Sequence, residues 1–242
     1  MIMNIKTCLE KYSDEFYSEM YGMHPNRDKT TSLKEAKEFL ARFAMDSLEY
    51  ERKCVPVMRK IFLSTAESYF DIRKKSMTEL LREEYDFFSY QSSPLFWKES
   101  YMLIQAICKD FGDKYLYIVE EERCEECADA AFKIKLPINA SWDTISRGGC
   151  ITDVLFNMFR NNYYVFGDSG NWGKWCDYDN DYIDYEVFCY KSLMQSIQVY
   201  KDYFSISREE YDSLRNLPNN LRVGFWNSIT GTVRIRISGD GR

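Results

Sequence analysis

The chain has 242 residues, 45% hydrophobic and 29% charged, with a formal net charge of −6 and a pI near 5.1. It is long enough to bury a sizeable core, as one large domain or two small ones, and too apolar to be disordered. The acidic balance argues against general nucleic-acid binding, which needs basic groups to displace phosphate counterions; it steers the chain toward a basic partner instead.

The N-terminus, Met1 to Lys6, lacks an apolar run with a small-residue cleavage site, and no segment is apolar enough for long enough to span a bilayer. The eight cysteines therefore read as buried thiols in a reducing compartment, and the cytoplasm is the expected location. The pattern is helical through the first part of the chain. Ser32 and Glu35 form a capping box ahead of Leu33, Ala36, Leu40, Phe43 and Ala44. A second helix is predicted after Pro56, on Val57, Ile61, Phe62, Ala66, Tyr69 and Phe70. Leu80, Leu81, Tyr85 and Phe88 suggest a third. A fourth runs over Leu103, Ile104, Ile107, Cys108 and Phe111, closed by Gly112 at its C′ position.

The period then changes. Strands are predicted at 115–119, at 132–136 with Pro137 as its end, and at 163–166. The stretch 142–160 is ambiguous, with helical spacing from Ile151 to Phe159. A polar, glycine-bearing loop is expected from Gly167 to about Asp181. Beyond it Ile183, Tyr185, Val187 and Cys189 alternate as a strand, and Leu193, Ile197, Tyr200 and Phe204 suggest a helix. Ser207 and Glu210 open a further short helix that Pro218 stops, and 221–226 with 233–237 read as a terminal hairpin. The expected fold is α+β. A helical region, 1–112, packs on a region, 113–242, with a mostly antiparallel sheet and flanking helices, as separate domains or on one core.

Three motifs imitate catalytic or metal sites. Gly167-Asp168-Ser169-Gly170 resembles a serine-hydrolase signature, but a nucleophilic serine needs a base, and the single histidine, His24, lies before Pro25 in a polar stretch. A turn accounts for every residue of the motif. Cys124-Glu125-Glu126-Cys127 has the spacing of a zinc half-site, yet no second ligand pair follows, and the flanking glutamates disfavour a thiolate. Asp177-Tyr178-Asp179-Asn180-Asp181 opens like a calcium loop, but Tyr182 stands where glycine is needed and Phe188 where a bidentate glutamate is needed. Asp177, Asp179, Asp181 and Asp184 still offer a looser cation site, and with it the alternative of a metal-assisted hydrolase.

Aromatic residues interleaved with acids remain: Trp172, Trp175, Tyr178, Tyr182 and Tyr185 among Asp177, Asp179, Asp181, Asp184 and Glu186. Aromatic anchors supply buried contact area and acids supply steering, the composition of a surface that meets a basic protein. The competing reading packs the tryptophans and tyrosines inward and leaves the acids to solubilise a loop. The expected partner-binding set is Trp172, Trp175, Asp177, Tyr178, Asp179, Asp181, Tyr182, Asp184 and Glu186. No catalytic residue, metal or cofactor is assigned.

The stretch from Tyr163 to Phe204 orders a strand, a Gly/Asp-rich turn, two strands and a helix with an aromatic end. It reads Tyr163-Tyr164-Val165-Phe166-Gly167-Asp168-Ser169-Gly170-Asn171-Trp172-Gly173, then Lys174-Trp175-Cys176-Asp177, Tyr185-Glu186-Val187-Phe188, and Tyr203-Phe204. It resembles the core of the SUKH-type immunity proteins that bacteria carry against polymorphic or contact-delivered toxins. The resemblance implies an intracellular α+β inhibitor that binds a toxin, often a nuclease, without catalysis. The long helical N-terminal part and the aromatic density depart from that family. A regulatory interaction protein is the other alternative, with its partner on the helical half, residues 33–111.

Overall fold

The structure is a computed structural model; it describes residues 29–64, 77–91, 95–121, 131–146, 162–177 and 185–204. The described chain opens with α1 (Lys29–Phe43). A short α2 (Ser47–Glu49) follows, capped by Asp46, which accepts the Glu49 N–H at 2.7 Å. The chain continues through a π-helical stretch, Tyr50–Cys54, into α3 (Val55–Ile61). The second predicted helix thus starts before Pro56, whose missing N–H is harmless in the first turn of α3. It ends at Ile61, because Phe62 is extended and bridges Leu81. Ala66, Tyr69 and Phe70 lie outside the described residues.

The third predicted helix is a correction. Only α4 (Met77–Leu80) is helical there, and Phe88 belongs to β1 (Asp86–Gln91). Leu81, Tyr85 and Phe88 recur at a spacing that suits a helix, but pairing with a neighbouring strand over six residues decides the backbone. Then come α5 (Lys98–Asp110), β2 (Tyr115–Glu120), β3 (Lys133–Pro137), α6 (Trp142–Ser146) and β4 (Tyr163–Gly167). The last elements are β5 (Trp172–Asp177), β6 (Tyr185–Tyr190) and α7 (Gln195–Phe204). β5 corrects the expected loop from Gly167 to Asp181: its polar look comes from Gly173 and Lys174, both inside the ladder. The motifs at Cys124–Cys127, Ile151–Phe159 and Ser207–Glu210, the terminal hairpin, and His24 lie outside the described residues.

The six strands form one antiparallel sheet in the order β1-β6-β5-β4-β2-β3, so the fold is α+β. β1 comes from the first part of the chain and pairs with β6 along its whole length, so both parts of the chain build the same sheet. Both faces are covered. On one, Leu116, Ile118, Ile134, Leu136, Val165 and Phe188 pack under α1, α5 and α7. On the other, Tyr117, Val119, Tyr164, Phe166, Val187 and Cys189 pack under Tyr50, Met58, Ile61, Phe62 and Leu80. No helix among the described residues is long and apolar enough to cross a membrane.

This three-layer build uses the aromatic surplus. Trp172, Trp175, Tyr101, Tyr163, Tyr164, Tyr200, Phe62, Phe96 and Phe132 are all fully buried. Phe188 is the hub of one face, stacked on Phe88 at 5.3 Å and on Trp172 at 5.6 Å between ring centroids. The described cysteines, Cys54, Cys108, Cys176 and Cys189, are buried and outside any disulfide.

Candidate functional site

The strand register sorts the connections between two ends of the sheet. At one end, which we call the turn end, α5 enters β2, β4 turns into β5, and β6 leaves for α7. At the opposite end β2 leads toward β3, β5 toward β6, and β4 begins.

The turn end is a lock built around the Gly-Asp-Ser-Gly motif. Helix α5 finishes in a Schellman arrangement, with Asp113 N–H donating to Cys108 O at 2.8 Å and Gly112 N–H to Lys109 O at 3.1 Å. Gly112 takes φ +70°, a left-handed conformation that costs glycine little. The predicted C′ role of Gly112 is therefore observed. This ending delivers the Asp113 carboxylate against the β4–β5 turn. Its Oδ1 accepts the Ser169 N–H at 2.6 Å and its Oδ2 the Trp172 indole N–H at 2.8 Å. Asp168 answers in the other direction, accepting the Lys114 and Tyr115 N–H groups at 2.7 and 3.1 Å. The Tyr85 hydroxyl donates to Gly170 O.

Gly167 makes the close approach possible: a Cβ there would lie 2.0 Å from Asp113 Oδ2. Burial raises the Asp113 carboxyl above its ordinary range, against the opposing pull of the Ser169 and Trp172 donors. Ser169 therefore serves as a turn residue: its N–H is held by Asp113, and its Oγ accepts the Asn171 N–H at 3.3 Å.

A second polar group sits inside the α5-covered face. Lys174 Nζ lies 2.8 Å from Glu186 Oε2, donates to Leu95 O at 2.9 Å, and stands 5.2 Å from the centroid of the Phe96 ring. Both side chains are essentially without solvent exposure. Burial alone would pull the Lys174 ammonium down, but Cys176, Glu186 and Tyr200 around it outweigh that, and the net direction is up. The neighbouring hydroxyls of Tyr90 and Tyr200 share a hydrogen bond of 2.7 Å. Burial, then the nearness of Glu186, pushes the Tyr90 phenol well above its ordinary value. Such a pair organises a core, because each charge is costly to bury without the other.

At the opposite end two carboxylates stand where β2 stops. Glu120 Oε2 accepts the Phe132 N–H at 2.8 Å. Glu121 accepts from Asn162 Nδ2 at 2.7 Å and from the Tyr164 hydroxyl at 2.9 Å. Both carboxylates are buried, as is Asn162, whose Oδ1 has no hydrogen-bond partner among the described residues.

No family model, curated protein or solved structure matches this chain.

The expected partner-binding set divides sharply. Trp172 and Trp175 are 0% exposed and point to opposite faces of the sheet. Burying about 200 Å² of aromatic side chain stabilises by roughly 5 kcal/mol at 25 cal/mol per Å². That free energy already holds the core together, so neither tryptophan is an anchor for a partner. Glu186 is likewise corrected: it is 0% exposed and bonded to Lys174, so it steers nothing in solution. Asp177 is the last residue of β5, opposite Tyr185. Tyr178, Asp179, Asp181, Tyr182 and Asp184 lie outside the described residues, in the connection from β5 to β6. Among the described residues no group of three or more His, Cys, Asp or Glu side chains is placed to hold a metal ion.

Sequence reasoning gave no role to Asp113 or Lys174, and it read Glu120 and Glu121 as part of a solvated acidic stretch, which their burial corrects. Only Lys174 left a signal: a lysine two residues from Trp172 and from Cys176, on a strand whose same-face neighbours are apolar.

Proposed function

We propose that this protein is an immunity protein that binds a basic toxin domain, of the nuclease kind, and neutralises it without catalysis. One observation carries the reading. The run 163–204 is a strand, a Gly/Asp turn, two strands and a helix, with β4, β5 and β6 adjacent in the sheet and α7 packed on it. That is the arrangement implied by the likeness of this stretch to SUKH-type immunity proteins.

The topology also supports adding a second connection to the expected site, which the sequence alone could not suggest. The β2–β3 connection, 122–130, contains Glu122, Glu125, Glu126 and Asp129; the β5–β6 connection, 178–184, contains Asp179, Asp181 and Asp184. They are far apart in sequence, yet the strands they join end on the same side of the sheet. Together they hold seven carboxylates against one arginine, an excess equal to the chain's whole formal charge of −6. A concentrated acidic end accelerates association with a basic partner and selects against acidic ones. Tyr178 and Tyr182, of the expected set, belong to the second of these connections.

The test is binding to a basic toxin domain from a neighbouring gene, where one is found, measured as association rate against salt. The variant Asp179→Lys/Asp181→Lys/Asp184→Lys is expected to slow association at least tenfold at low salt and to flatten its salt dependence, with the melting temperature unchanged. Absence of a complex sinks the reading, and an unaffected association rate sinks the site. Calorimetric binding of Mg²⁺ or Mn²⁺ that Asp177→Asn abolishes would favour a metal-assisted hydrolase instead.

A further inference from the structure

We draw no further inference here: the strongest candidate, the buried side-chain cluster of Glu121, Asn162 and Tyr164 where β2 ends, carries none, because nothing in the structure shows what meets its Asn162 Oδ1, which lacks a hydrogen-bond partner among the described residues while 122–130 and 147–161, adjoining the cluster in sequence, lie outside them.

Discussion

The two ends of the sheet follow opposite rules. At the turn end the polar groups around the β4–β5 turn are spent inside the molecule: Asp113 holds the turn, Asp168 holds the start of β2, and Tyr85 closes on Gly170. At the other end Glu120 and Glu121 secure the strand termini, and the connections that leave there hold the acidic excess of the chain. Polar residues with much the same composition therefore do different work. Those at the turn end set geometry, and those in the connections are the ones we propose a basic partner meets.

Substitutions separate the two roles. The largest stability loss is expected midway between the ends. Lys174→Met leaves Glu186 buried without its ammonium and should cost about 3–5 kcal/mol in urea unfolding. The double variant Lys174→Met/Glu186→Leu should recover most of that. A loss below about 1 kcal/mol for the single change would mean that water reaches the pair.

At the turn end, Gly167→Ala drives a methyl group into the Asp113 carboxylate and should cost about 3 kcal/mol. For a chain of this length that lowers the melting temperature by roughly 2–4 °C per kcal/mol.

Asp113→Asn turns one of two acceptors into a donor facing an N–H, a loss of about 1–3 kcal/mol. It should also alter the pH profile. Burial raises the Asp113 carboxyl in the folded state, so its contribution is most favourable below the ordinary carboxylate range. It declines as pH rises through the raised value, and the Asn variant should lack that decline.

The smallest effect on stability is expected from the Asp179, Asp181 and Asp184 reversals, within about 0.5 kcal/mol. Those changes should instead move the association rate. If the reversals unfold the protein, or if Asp113→Asn slows binding while the fold is intact, the division of labour between the ends fails.

Much of the fold was legible in the sequence where local physics decides it. Apolar β-forming runs marked β2 and β4, the run ended by Pro137 marked β3, and alternation marked β6; helical spacing and Gly112 marked α5 and its end. β1 was misread because Leu81, Tyr85 and Phe88 satisfy a helical spacing while their backbone answers to β6, a strand encoded about 100 residues later. The residues alone read β5 as loop, because glycine and lysine in Trp172–Asp177 look like loop residues when the covering layers are unknown; only the family resemblance placed a strand there.

Alternation by itself says that Trp172 and Lys174 share one face of β5 and that Trp175 takes the other. It cannot say whether a face meets water. α5 and α7 cover the first face and α3 the second, so both tryptophans and the Lys174–Glu186 pair are interior. Local sequence thus determined four of the six strands, β2, β3, β4 and β6, and which residues of a strand share a side. Which side is wet, and which distant connections emerge together, only the tertiary structure decided, because both depend on elements that pack across the whole length of the chain.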